Sequence, residues 1–419
     1  MRILIVGLNF APEPIGVGKF TGEMAEWFAD RGHEVEVVTA PPYYPWWRRL
    51  KEYRYRPWIS ETREYNCRII RCPIYVPKHP TGIRRVLHLA SFGLSAFPVT
   101  LYQAIRTKPD VICAVVPTLF SAPVSLAAAH LTGAKAWLHV QDLEIEAGHE
   151  LGMLGRTGLG RMALAIERIV LRRFDLVSTI SQKMLDAIAH KGVDRRRMVL
   201  FTNWVNTSEI FPLNAPSRYR REVGIAPERC VVMYSGSMGA KQGLDYLLAA
   251  ARLLDKDGPR SPLFVFAGEG HARKKLEADA ASLSNVLFMP VIPKELYNEF
   301  LNLADIHLLP QKTEAADLVL PSKLYAMLAT GRPIIATVPP DTQIARTIGP
   351  AGLIVPPEDP AAFTNAIREL AGDSARRKIM GNAALTIARK TFEIEHVLGC
   401  IETRLKLEVT AMVERTIES

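Results

Sequence analysis

The sequence predicts an α/β protein of two domains, each a doubly wound parallel sheet with helices on both faces. Three observations carry this expectation. The chain of 419 residues is long for a single core and fits two or three domains of ~150 residues. Short apolar runs alternate with helical patterns, the strand-helix-strand rhythm of a covered parallel sheet. That rhythm breaks once, over 202–216, and then restarts.

In the first half, residues 3–6 make the opening strand. Phe20, Met24, Trp27 and Phe28 then recur at i, i+4, i+7 and i+8, one apolar helix face, and Gly32 supplies its stop. Further strands are expected over 35–39, 111–116, 136–140 and 176–180, the last followed by Ser181 as an N-cap. Asn203, Asn206, Pro212, Asn214 and Pro216 mark a linker. Beyond it, strands are expected over 231–234, 263–267, 286–289, 306–309, 334–336 and 353–355. Leu244, Leu247, Leu248, Ala251 and Leu254 mark a helix among them. From Phe392 the chain is helical with no following strand and can cross back onto the first domain. The expected divisions are therefore 1–204, 205–391 and 392–419.

The composition, 48% apolar and 23% charged, is that of a globular protein and not of a disordered or fibrous one. Cys67, Cys72, Cys113, Cys230 and Cys400 lack zinc-knuckle or paired spacing and read as reduced thiols of a cytosolic protein. The opening apolar run is too short for a secretory signal, and no apolar stretch reaches the ~20 residues of a spanning helix. Residues 1–200 hold 27 Lys/Arg against 18 Asp/Glu, whereas 201–419 hold 25 of each. Residues 41–85 alone hold 11 basic and 3 acidic side chains, which implies an anionic partner: lipid headgroups, a diphosphate or nucleic acid.

Several segments can carry chemistry. The loop after the first strand, Gly7 to Phe20, contains Gly16 and Gly18 and opens a helix, where free N–H groups and glycine allow close approach of an anion. A flexible loop without ligand fits it equally well. It is not a dinucleotide fingerprint, because the spacing is too long and no acidic residue ends the second strand. The second half begins alike, with Gly236, Ser237, Gly239, Lys241 and Gly243 between a strand and a helix. Here Lys241 can supply a point charge to phosphate, or simply be a solvated turn lysine. Gly268-Glu269-Gly270 is a third, weaker glycine turn. In the stretch from Glu314 to Pro333, Pro321-Ser322 reads as a helix start with Ser322 as N-cap, and Gly331 as its end. Lys323 adds charge at that mouth, and Glu314 and Asp317 can accept hydrogen bonds from sugar hydroxyls. A capped surface helix with two solvated acids is the plainer alternative. His139 and Asp142 close another strand at the edge where α/β sheets bind ligands. Asp142 carries more weight, because a loop carboxylate there is harder to explain by packing.

Two patterns invite other readings. Asp255-Lys256-Asp257 matches a metal-binding D-x-D, but it ends a helix before Gly258-Pro259 and reads as a turn, so no essential metal is expected. Trp46 to Trp58 interleaves aromatic and basic residues. That suits single-stranded nucleic acid or a membrane interface, and without an RNA-binding module the membrane or a lipid-diphosphate is preferred. The apolar helix over 83–105 can assist there, although as a core helix it needs no such role.

Together these segments resemble the family 4 glycosyltransferases over nearly the whole chain. The order is specific: the N-terminal glycine loop, Arg31-Gly32-His33-Glu34-Val35, the polar loop at His139–Asp142, Thr202-Asn203-Trp204-Val205-Asn206, the Gly236–Gly243 loop, Gly268-Glu269-Gly270, and the helix ending Gly331-Arg332-Pro333. Leu320-Pro321-Ser322-Lys323-Leu324 and Asn203-Trp204 resemble the colanic-acid and exopolysaccharide branch. Four positions depart from the family. Ser237 replaces an arginine, Lys241 stands one place early before Gln242, and Leu318 and Ala326 stand where two glutamates are usual.

The resemblance implies a GT-B fold, two Rossmann-like domains facing across a cleft, and a retaining hexosyl- or deoxyhexosyltransferase. It implies donor contacts from Gly16, Gly18, Gly236, Ser237, Gly239, Lys241, Gly268, Glu269, Asp317, Pro321, Ser322 and Lys323, with Asp142 and His139 at the catalytic centre. The implied partners are a nucleotide-sugar, a glycan or lipid-diphosphate acceptor and an anionic membrane surface, with no cofactor and no nucleic acid. The implied place is the cytoplasm, peripheral on the inner face of the plasma membrane. A nucleotide-sugar epimerase of the same build and a non-catalytic subunit of a glycan-assembly complex remain alternatives.

Overall fold

The computed structural model describes residues 1–53, 60–79, 81–116, 120–142, 158–239, 242–258, 261–311 and 320–417. The chain forms two compact units, Met1–Thr202 with Leu398–Ser419, and Asn203–Val397. The crossings fall at 202/203 and 397/398, where the sequence suggests 204/205 and 391/392. Backbone pairing explains the shift. Val205 N donates to Phe392 O at 2.8 Å and Ile394 N donates to Val205 O at 3.0 Å, which ties residues 392–394 to the second unit.

The first unit is built on eight strands: β1 (Arg2–Gly7), β2 (Glu34–Thr39), β3 (Ser60–Glu64), β4 (Cys67–Arg71), β5 (Val111–Val116), β6 (Lys135–Val140), β7 (Leu176–Thr179) and β8 (Met198–Leu200). Their order is β3-β4-β2-β1-β5-β6-β7-β8, parallel except for β3, which runs antiparallel to β4. Ile3 to Val6 and all of β5 are buried, as befits strands covered on both faces. Three strands escape the sequence pattern. β3 contains no apolar residue, β8 has three residues, and β4 sets two isoleucines between arginines.

Local rules hold where the pattern is clear. The Gly16–Asp30 helix buries Phe20, Met24, Trp27 and Phe28. Gly32 ends it at φ +82°, its N–H donating to Ala29 O. Ser181 caps the Gln182–His190 helix by accepting from Met184 N at 3.1 Å. The C-terminal helix Ile394–Ile417 buries Leu398, Ile401 and Leu405. It meets the first unit through Glu402, 2.7 Å from His33 Nε2, and through Arg404, which donates to Arg196 O.

In the second unit six strands, β9 (Val231–Ser235), β10 (Leu263–Ala267), β11 (Val286–Met289), β12 (Ile306–Pro310), β13 (Ile334–Thr337) and β14 (Gly352–Val355), form a parallel sheet. The order is β11-β10-β9-β12-β13-β14. Alternation along β9 fills both faces. Val232 and Tyr234 pack with the Leu244–Asp255 helix, while Val231 and Met233 pack with Tyr219 and Phe300.

Both sheets reverse their strand order at one point. In the first, β1 has β2 on one side and β5 on the other; in the second, β9 sits between β10 and β12. The crevice beyond the carboxyl ends of such strands is where open α/β sheets bind ligands. The two glycine loops follow β1 and β9.

Candidate functional site

After β1, the loop closes on its own carboxylate. Glu13 is 3% exposed. Its Oε1 accepts from the N–H groups of Tyr43 and Tyr44 at 3.1 and 2.9 Å, and its Oε2 accepts from Asn9 Nδ2 at 2.9 Å. Burial pushes its pKa up, and these hydrogen bonds pull it back. The fully buried Arg71 guanidinium donates to Ala11 O at 2.9 Å and Ala40 O at 3.2 Å. Gly16 holds φ +66°. A Cβ on Gly18 would lie 2.4 Å from Glu13 Oε2, so glycine is required there by the chain's own side chain. Sequence reasoning passed over Asn9, Glu13 and Arg71. The one signal was a charge set between Pro12 and Pro14 in an otherwise apolar loop.

His139 belongs to the core, which corrects its assignment to the catalytic centre. It is 1% exposed, its ring lies 4.8 Å from that of Phe201, and its Nδ1 is 3.0 Å from Ser178 Oγ. Burial drives its pKa down to about 3, so the imidazole is neutral and enclosed and offers no charge to a ligand. Asp142, two residues past β6, is exposed beyond the carboxyl edge of that strand.

Around β9 the parts converge. Gly236 holds φ +140° and Gly268 φ +133°. A Cβ on Gly268 would come within 2.0 Å of Gly236 O, and one on Gly270 within 2.2 Å of Met238 O. The loops after β9 and β10 therefore lie backbone to backbone, joined by Met238 N donating to Glu269 O at 2.8 Å. Gln242 Oε1 accepts from Gly239 N at 3.1 Å and steadies the turn. Tyr234 donates its hydroxyl to Ser237 O. Lys323 Nζ lies 4.2 Å from the centroid of the Tyr234 ring and would be 3.5 Å from a Cβ on Gly236.

Lys323 thus hangs over the Gly236 turn at the reversal point of the sheet. Among the described residues no carboxylate pairs with it, and burial pulls its pKa down to about 7. An arriving anion would restore its charge. It comes from the first turn of the Ser322–Ala329 helix, whose N-cap is Pro321. That corrects the reading of Ser322 as the cap. Ser322 is the exposed first helical residue, and the helix start has no side-chain cap. A helix start without a side-chain cap thus carries a lysine that reaches the Gly236 loop, an arrangement suited to an anion. Gly331, at φ +63°, follows the helix as expected.

Other candidates lie elsewhere. The Glu269 carboxylate pairs with Arg273 at 2.8 Å, an arginine that also donates to Gly268 O, so it braces the turn. Lys241, Asp317 and Glu314 lie outside the described residues. Asp255 accepts from Ser284 N and Oγ, and Asp257 faces Arg368 at 3.6 Å. The D-x-D is a structural turn, and no metal-holding group of His, Cys, Asp or Glu occurs among the described residues.

Residues 16–204 match the Glycosyl transferase 4-like domain family, and residues 229–373 match the Glycosyl transferases group 1 family. A protein of Escherichia coli K12 named as the colanic acid biosynthesis glycosyl transferase WcaI is 39% identical over 379 residues, covering 88% of this chain and 92% of its own. This chain is a family 4-like glycosyltransferase. A D-inositol 3-phosphate glycosyltransferase of Acidothermus cellulolyticus is 26% identical over 61% of this chain and 59% of its own. Among solved structures, the sucrose-phosphate synthase of Thermosynechococcus elongatus superposes with a TM-score of 0.75 at 17% identity, covering 98% of this chain and all of its own. HepE of Anabaena, solved with UDP, gives 0.69 at 16% identity over 97% of this chain and 100% of its own. These likenesses establish the glycosyltransferase's GT-B fold, two α/β units each with a parallel sheet.

Proposed function

We propose that this glycosyltransferase moves a sugar from a nucleoside-diphosphate sugar to a glycan or lipid-diphosphate acceptor in exopolysaccharide assembly of the colanic-acid type. It would act at the cytoplasmic face of the membrane, with retention of anomeric configuration and without an essential metal. The observation that carries this reading is Lys323 over Gly236, beside an uncapped helix start. A diphosphate bound there meets backbone N–H groups and one ammonium. The UDP bound in the structure of Anabaena HepE and the colanic acid role in the name of the Escherichia coli relative support the same direction.

In the reaction, the bond between the anomeric carbon and the diphosphate breaks, and its electron pair stays on the leaving phosphate oxygen. Negative charge builds on that phosphate, and stabilising it is the largest catalytic term available to these residues. The acceptor hydroxyl forms the new bond on the same face and passes its proton to the departing phosphate. Asp142 is the carboxylate we place near the ring as it gains positive charge. Ser237 and Ala326 stand where the family has an arginine and a glutamate, and this favours a second reading, a non-catalytic subunit.

Thermal shift of the purified protein with UDP-, GDP- and ADP-sugars, with and without chelator, separates the two. A shift with one nucleotide class, unchanged by chelator, is expected. No shift with any donor would transfer the case to the non-catalytic subunit.

A further inference from the structure

The helix Ile83–Thr107 carries apolar side chains on its exposed side as well as its buried one. It buries His88, Ser95, Thr100 and Gln103 beside Phe92, Ala96 and Val99. Six of its large apolar side chains face solvent: Ile83 is 75% exposed, Leu87 53%, Leu94 77%, Phe97 46%, Tyr102 62% and Ile105 56%. At ~100° per residue these six fall within an arc of about 140°, a stripe about 33 Å long. The orientation is held by polar contacts on the inner side. His88 Nδ1 is 2.5 Å from Tyr75 O, Ser95 Oγ donates to Pro73 O at 2.7 Å, and Gln103 Oε1 accepts from Arg68 Nη1 at 3.4 Å. The helix therefore serves the core with one face and leaves an apolar stripe on the other.

A second stripe accompanies it. The Gly158–Leu171 helix exposes Met162, Ile166 and Ile169 at i, i+4 and i+7. Both helices belong to crossovers that advance in one direction through the sheet, from β4 to β5 and from β6 to β7. Right-handed crossovers place them on one face. Of the aromatic-basic segment before them, Trp47 packs on the His88 ring at 5.3 Å beside Tyr43 at 4.8 Å, Trp46 is exposed, and residues 54–59 lie outside the described residues.

Charge selects the occupant. Residues 65–109 carry seven Lys or Arg and no Asp or Glu. Lys78, Arg84 and Lys108 are exposed around the stripe. A second copy docked here by a twofold axis would set these cations against their own kind. Anionic headgroups neutralise them while the acyl boundary takes the apolar stripe. No helix among the described residues is long and apolar enough to span a bilayer.

We propose that this face of the first unit lies on an anionic bilayer surface, with the outer stripe of the Ile83–Thr107 helix seated at the headgroup boundary. The inference deepens the proposed use of a membrane-borne acceptor and stands on a surface separate from the donor loop. The test is flotation of the full chain with phosphatidylcholine vesicles, plain or one-third phosphatidylglycerol. Binding to the anionic vesicles is expected, weaker on plain ones. A Leu94→Gln, Phe97→Gln double variant should lower partitioning by at least about tenfold while keeping the nucleotide-sugar thermal shift. Wild-type protein that stays with the soluble fraction overturns the proposal, as does a double variant that floats like wild type. Dimers in vesicle-free sedimentation that the double variant abolishes overturn it in favour of a second copy. Should wild type float yet show no shift with any donor, the donor reading fails and this surface stands.

Discussion

The loops after β1 and β9 occupy equivalent places, each at the reversal point of its sheet and each rich in glycine. They use glycine for opposite ends. After β1, the space beside Gly18 is already taken by the Glu13 carboxylate, whose oxygens are held by two backbone N–H groups and Asn9. After β9, glycines let two loops stack, and the charge above them is the lysine Lys323. One loop is closed by an internal carboxyl group, and the other is prepared to receive an external anion. Topology alone names the place of a site; the sign and satisfaction of the nearest charge decide its use.

The sharpest way to break this comparison is at Glu13. Glu13→Ala leaves the N–H groups of Tyr43 and Tyr44 and the Asn9 amide without their acceptor, a loss of several kcal/mol at about 1–3 kcal/mol for each unsatisfied buried donor. Five of the six tryptophans lie in the first unit, so denaturation followed by tryptophan fluorescence reports it. An unchanged midpoint would mean that Glu13 does not close the loop.

Lys323→Ala tests the other half. Removing one charged hydrogen-bond donor should weaken nucleotide-sugar binding by about 1.5–3 kcal/mol, roughly 10–150-fold, with little change in unfolding. Full donor affinity in that variant would remove Lys323 from the diphosphate site. A smaller effect separates the two glycines nearest these charges. Gly18→Ala must displace Glu13 and should cost about 1–3 kcal/mol of stability, leaving the donor-induced thermal shift in place.

Much of the fold was legible because parallel strands buried on both faces leave unbroken apolar runs. β5, β10 and β11 match their expected bounds. β3 was invisible because an edge strand of Ser, Thr, Arg and Glu leaves no such run. Lys323 and Gly236 were legible since proline and glycine punctuate the loops at strand ends. Glu13 was not, because the backbone groups that hold it lie 30 and 31 residues away. His139 shows the same limit: strand position marked it for a ligand, and Phe201, brought beside it only by folding, makes it a core residue. For the Ile83–Thr107 helix, the sequence left a membrane-assisting and a core role open, and the structure gives it both a buried face and an exposed apolar stripe. The carbonyls of Pro73 and Tyr75 that draw its polar face inward come from an extended segment with no pattern of its own.

The finest probe of the contrast is pH. A pyrophosphate diester has no group titrating near neutrality, so changes in donor affinity there report the protein. Lys323, with its pKa held near 7 by burial, is half charged at that pH and loses the charge as pH rises. If the bound donor holds the proton on, affinity should fall about fivefold from pH 7 to 8. Tyr234, whose ring carries the ammonium, has its own pKa raised by burial and stays neutral across this range. Lys323→Arg supplies the control, since a guanidinium keeps its charge and should flatten the profile. A wild-type profile that is already flat would mean that the ammonium over Gly236 is not the charge the donor meets. The closed loop after β1 makes the opposite demand: Glu13 is bonded within its own unit, and Glu13→Gln should leave the slope of donor affinity with pH unaltered.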